Sequence, residues 1–167
     1  MSETTVQVTM PLDDEGFLRR ECPTCERQFK WRPGSEESVE DAEAPEIYYC
    51  PYCAEPADTG SWWTIQQLDY AQQYAAAEIL GPELEEFQRS IAGMNQSGSI
   101  VKVSMDVTLP SQPEPLSEPN DMARVDFPCH PEEPLKVAGD WEAEVSCLVC
   151  GIRYPVELVR ALPEEGI

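Results

Sequence analysis

Cys22-Pro23-Thr24-Cys25 and Cys50-Pro51-Tyr52-Cys53 are the two stretches whose reading decides the fold. Each is a Cys-Pro-x-Cys turn, which sets two thiolates on one side of a tight backbone loop. Pro23 and Pro51 pre-set the turn dihedral and remove an N–H that would otherwise need a partner. Two such turns facing each other make a four-sulfur tetrahedral cage of the kind Zn2+ favours. Cys22, Cys25, Cys50 and Cys53 are therefore expected to form one closed metal site. Binding of that kind contributes about 10–16 kcal/mol in small zinc peptides, enough to hold hairpins that would not fold alone.

Composition agrees with a metal-stapled chain. Its 167 residues are 41% hydrophobic, and 16 prolines break them into short pieces. Small stapled units suit such a sequence better than one large core. The first ten residues are polar and lack an apolar segment of export type. No apolar run approaches the length needed to cross a bilayer, so no membrane association is expected. The seven cysteines are an odd count, and six of them fall in three metal-type pairs rather than a disulfide framework, so the expected location is cytoplasmic.

The formal net charge is -21, an acidic balance that repels a phosphate backbone over most of the surface. Five of the eleven basic residues nevertheless cluster around the first Cys pair: Arg19, Arg20, Arg27, Lys30 and Arg32. With Trp31 among them, they form a candidate site for an anion or a nucleic acid. The plainer reading makes them solvated charges on hairpin edges, with Phe29 and Trp31 covering the metal site.

In chain order, Thr4 to Met10 alternates as Val6, Val8 and Met10 and predicts a strand. Phe17 to Glu21 and the stretch through Phe29 and Trp31 predict strands on either side of the first Cys turn. Pro33 to Glu46 is acidic, has no apolar period and predicts a loop. Ile47 to Tyr49 predicts a strand into the second Cys turn. A helix follows, with Thr64 and Gln67 matching a capping box and Ile65, Leu68, Ala71, Ala75 and Ile79 marking a core-facing stripe. Gly81-Pro82 should stop or kink it, and Leu84, Phe87 and Ile91 give a second stripe. Val101 to Leu109 alternates as a strand. Val6-Gln7-Val8-Thr9-Met10 parallels Val101-Lys102-Val103-Ser104-Met105, which predicts an internal repeat of two related halves.

The second half carries Pro128-Cys129-His130 and Cys147-Leu148-Val149-Cys150. Cys129, His130, Cys147 and Cys150 are expected to form a second zinc site, provided the backbone turns sharply at the adjacent Cys129 and His130. Gly151 after the last cysteine suits a tight turn.

The Cys-Pro-x-Cys turns resemble those of zinc ribbons and rubredoxin-like knuckles. The resemblance covers roughly the first third of the chain and implies short antiparallel strands around a tetrahedral metal. Rubredoxins bind iron at such turns and usually have glycine after the second cysteine. Here Glu26 and Ala54 stand at those positions, so zinc is preferred over iron. His130-Pro131-Glu132 followed by Cys147-x-x-Cys150 also resembles the zinc deaminase pattern, which would make Glu132 a proton carrier. Only fourteen residues separate Glu132 from Cys147, too few for the helix and strand of that family.

These readings converge on an α+β protein. Two zinc-ribbon-like units of short antiparallel strands, residues 1–60 and 99–167, are joined by a long or kinked helical connector, residues 61–98. Two structural Zn2+ per chain are expected. The expected function is a non-catalytic protein-protein interaction or regulatory module with a basic partner, one version being an acidic decoy of nucleic acid. The alternatives are a nucleic-acid-binding ribbon, a hydrolase or deaminase-like enzyme at His130 and Glu132, and an iron electron carrier.

Overall fold

The strands of this chain come as hairpins, because each turn that gathers metal-type side chains also reverses the backbone. The computed structural model describes residues 5–33, 45–96 and 108–160. The first hairpin pairs β1 (Leu18–Glu21) with β2 (Gln28–Trp31), and the second pairs β3 (Ile47–Tyr49) with β4 (Pro56–Asp58). Helix α1 (Ile65–Gln96) follows. The third hairpin pairs β5 (Met122–Phe127) with β6 (His130–Ala138), and the fourth pairs β7 (Glu144–Ser146) with β8 (Arg153–Pro155). A single turn, α2 (Val156–Val159), closes the described chain. The fold is thus α+β, with small antiparallel sheets and one main helix.

Two compact units divide the chain, one of residues 1–10 and 65–116, the other of residues 11–64 and 117–167. All eight strands among the described residues belong to the second. There the first and third hairpins merge, through β2 and β6, into a four-stranded sheet ordered β1-β2-β6-β5. The two halves expected from the sequence therefore share one sheet. A two-stranded ribbon is marginal alone, and joining two of them at their inner strands gives the four-strand surface that can carry a core.

Register sorts the sheet into rows. Leu18, Trp31, Leu135 and Val125 lie directly opposite one another across the four strands, and all four are buried. Phe29 and Trp62 extend this apolar layer with edge-to-face rings 5.7 Å apart. The adjacent row, on the opposite face, is Arg19, Lys30, Lys136 and Arg124, four cations across the sheet. Like charges directly opposite are destabilising, so this row needs counter-charges.

Loops supply them. The Asp13 Oδ2 oxygen meets Lys136 Nζ at 2.8 Å and Lys30 Nζ at 3.4 Å. Glu118 and Asp121 each contact both Lys30, at 2.9 and 3.0 Å, and Arg19, at 2.8 and 2.7 Å. Lys30 also donates to the Pro119 carbonyl. Arg124 pairs with Asp126 on its own strand at 2.9 Å. The other Asp13 oxygen accepts the N–H groups of Glu15 and Phe17, both at 3.0 Å. Burial alone would raise the Asp13 pKa, but Lys136 and these two N–H donors outweigh it and hold the carboxyl below its ordinary value.

Two expected strands differ. Val6, Val8 and Met10 are half-buried and alternate with exposed residues, yet residues 5–10 form no strand, having no ladder partner among the described residues. Of the expected strand Val101 to Leu109, residues 101–107 lie outside the described residues and 108–109 form no strand. The expected acidic loop lies mostly outside them as well. In the helical unit, α1 runs through Gly81 and Pro82, where a stop or kink is expected. Pro82 costs about 3 kcal/mol and one ladder bond, which long cooperative segments on both sides outweigh. The stripe expected to face a core is also corrected, since Ile65, Leu68 and Ile79 are exposed. The half-buried face is Tyr70, Tyr74, Ala77, Leu84, Gln88 and Ile91.

Asp13→Asn should destabilise the protein by about 3–5 kcal/mol in urea unfolding at neutral pH, because it leaves two buried ammoniums short of a counter-charge. Adding Lys136→Met should restore part of that loss; a single variant as stable as the parent would show that the carboxylate is not what holds the row.

Candidate metal centres

Three of the four metal-type turns have the same backbone. The N–H of the first cysteine donates to the carbonyl five residues on: Cys22 to Arg27 (3.0 Å), Cys50 to Glu55 (3.0 Å) and Cys147 to Ile152 (2.9 Å). The residue after the second cysteine donates back to the first: Glu26 to Cys22, Ala54 to Cys50 and Gly151 to Cys147. That residue is left-handed each time, with φ of +58° at Glu26, +61° at Ala54 and +71° at Gly151. Further N–H groups aim at sulfur, from Thr24 and Cys25 to Cys22 Sγ (3.3 and 3.4 Å) and from Tyr52 to Cys50 Sγ (3.4 Å).

The β1–β2 and β3–β4 turns bring Cys22, Cys25, Cys50 and Cys53 together, with Cys22 and Cys53 sulfurs 3.7 Å apart and Cys25 and Cys50 sulfurs 3.7 Å apart. The edge of a tetrahedron whose arms are 2.3 Å Zn–S bonds is about 3.8 Å. The fourth turn is different. Phe127 pairs with His130 across Pro128-Cys129, a two-residue turn after a register shift in β5. This is the sharp reversal that the adjacent ligands require. His130 Nδ1 lies 3.4 Å from Cys147 Sγ, and Cys129 Sγ lies 3.5 Å from Cys150 Sγ. In each group the four donor atoms lie within 4.8 Å of one another. The odd cysteine count follows from the histidine in the second group, and none of the seven cysteines is in a disulfide.

The donor chemistry fits a divalent cation. Burial pushes the Cys147 thiol up to about 12 and the Cys50 thiol well above its usual range. Such thiols ionise readily only beside a positive ion. Four-cysteine and three-cysteine-one-histidine sets are both closed, structural zinc types. Two groups able to hold a metal, compatible with zinc, are thus in place.

Two tyrosines that carry no metal-site signal in the sequence brace these turns. Tyr52 O–H donates to the Gln28 carbonyl (2.7 Å) and accepts the Ala138 N–H (2.9 Å), tying the second Cys turn to β2 and β6. Tyr154 hydrogen-bonds Cys129, which with burial pushes its own phenol up to about 12. At Cys129, burial is outweighed by the bonds from Tyr154 and His130, and its pKa falls to about 7. Only the fold brings the Tyr52 hydroxyl to β2 and β6 and Tyr154 to Cys129.

Part of the basic cluster is turned inward, while Arg27 and Arg32 are exposed. Lys30 and Trp31 are buried in the sheet, and Arg19 is held by Glu118 and Asp121. Arg20 is stacked between Trp31 (4.3 Å) and Trp63 (4.1 Å), and burial lowers its pKa to about 10. Arg27 lies over Trp141 and Arg32 over Phe17. Glu132 sits exposed on β6, a strand rather than a helix, and is not among the gathered donors. No helix among the described residues is long and apolar enough to cross a membrane. Comparison with protein-family models, curated proteins and solved structures finds no match for the chain.

The left-handed turn positions are separable. Gly151→Ala adds a Cβ that would meet the Tyr49 ring at 3.0 Å, on top of the φ penalty. It should lower stability by about 1–3 kcal/mol. Ala54→Gly relieves the same conformation and should be neutral or stabilising by up to about 1 kcal/mol. Thermal unfolding of the metal-loaded protein reads both, and equal effects at the two positions would contradict the strain argument.

Proposed function

We propose that the chain is a zinc-stabilised, non-catalytic interaction module of the cytoplasm, with one structural Zn2+ in each four-donor group. The observation that carries this reading is that each group supplies four protein donors, which leaves no position for a reacting water. The exposed strand position of Glu132 weighs against a deaminase-like role. Zinc is favoured over iron because Glu26 and Ala54 stand where rubredoxin-like knuckles usually have glycine.

The two halves are read as copies of one unit, a pair of hairpins around a metal. Reciprocal contacts support this. Tyr49, just before Cys50, donates to the carbonyl of Leu148, just after Cys147, at 2.8 Å. Ser146, just before Cys147, donates to the carbonyl of Pro51, just after Cys50, at 2.9 Å. The order Arg19, Lys30, Lys136, Arg124 across the sheet is likewise the same from either edge.

The partner is proposed to be a basic protein. A charge of -21 favours one electrostatically, and the inward placement of Arg19, Arg20, Lys30 and Trp31 removes much of the nucleic-acid surface that the sequence offers. Elemental analysis of the purified protein should give two zinc per chain and no iron. A lysine-rich peptide should bind it with affinity that falls steeply between low and physiological salt. One zinc or none in a folded chain would overturn the two-site reading, and salt-independent binding would overturn the electrostatic one.

A further inference from the structure

Helix α1 carries an exposed apolar stripe. Ile65, Leu68, Ile79, Leu80, Phe87 and Met94 are each 41–67% exposed. At about 100° per residue they fall on one side of the helix, opposite the half-buried face of Tyr70, Tyr74 and Ala77. Scattered exposed leucines need no explanation, but six large apolar side chains on one side of a single helix, interspersed with Asp69, Glu83 and Glu86, mark an interaction surface. At about 100 Å² apiece, the six side chains offer roughly 600 Å² per chain, against about 800 Å² per partner in a standard interface.

We infer that this stripe is a homodimer interface in which α1 packs antiparallel on α1 of a second copy. Reversed, the stripe pairs apolar residues of its own at its two ends and at its centre, while Leu68 and Phe87 reach the half-buried Ile91 and the polar Gln72. A two-fold axis between Ile79 and Leu80 sets Ile65 opposite Met94, Leu68 opposite Ile91 and Gln72 opposite Phe87. The acidic residues along the stripe then face neutral ones, with Asp69 opposite Ser90, Glu83 opposite Ala76 and Glu86 opposite Gln73. In a parallel, in-register pair, Asp69 and Glu83 would each face their own copy, a like-charge contact in a chain already at -21. Reversal is therefore the arrangement that buries the apolar residues without stacking carboxylates. It requires neither the metal sites nor a basic partner.

Sedimentation equilibrium of the full-length, metal-loaded protein should give twice the 18.7 kDa of one chain at micromolar concentration. Ile79→Glu with Leu80→Glu places four carboxylates around the axis and should raise the dissociation constant at least about tenfold. Both positions are exposed in the monomer, so helix content and zinc content should not change. A photo-crosslinking amino acid at position 65 should attach to the other copy near Met94. A monomer at 100 µM (about a hundred times the micromolar range), a double variant that dimerises as tightly as the parent, or a crosslink returning near residue 65 would each overturn the proposal.

Discussion

Each four-donor group joins two hairpins that share no strand pairing. The β1–β2 and β3–β4 hairpins lie in different sheets, as do β5–β6 and β7–β8, and the side chains of their turns converge pairwise. A three-residue ribbon such as β3–β4 has too few ladder bonds and too little apolar surface to persist alone. With the proposed metal in place, binding energy that another protein of this size would draw from a larger interior is concentrated at eight side chains. This accounts for a 41% hydrophobic chain with 16 prolines that still builds an ordered sheet.

The second constraint is electrostatic. The sheet buries a row of cations on one face and an apolar row on the other, and the cation row is tolerable only because Asp13, Glu118 and Asp121 are delivered to it from outside the strands. The buried pairs are better understood as fixing where the 13–16 and 117–121 segments lie than as a large net gain in stability. The same network holds Arg19 and Lys30 of the basic cluster around the first Cys turn, while Arg27 and Arg32 stay exposed.

The two groups of donor residues able to hold a metal were legible because their signal is local. Spacing and residue type in Cys-Pro-x-Cys already specify a turn with two sulfurs on one side, and Cys129-His130 between prolines specifies a sharp reversal. The strands on either side of the first Cys turn and Ile47 to Tyr49 before the second were legible for the same reason, whereas β4, β6 and β7 carried no such signal. The α1 stripe was legible as a periodicity but not as a side, since a 3.6-residue period says that a helix has an apolar face without saying what covers it. Ile65, Leu68 and Ile79 were expected in a core and are exposed, while Tyr70 and Tyr74 are half-buried. The echo between Val6–Met10 and Val101–Met105 pointed to a repeat, but residues 101–105 lie outside the described residues, and the proposed repeat rests instead on the hairpins and their reciprocal contacts.

By itself, the sequence determined the eight donor residues, the hairpin turns that carry them and the presence of a long helix, because each depends on contacts within a few residues. Tertiary structure alone decided that the first and third hairpins merge into one sheet, that Lys30 and Lys136 face each other across Asp13, and that Tyr52 and Tyr154 brace the cysteine turns. Those contacts join residues 17 to 123 positions apart, and no local pattern encodes a partner so distant.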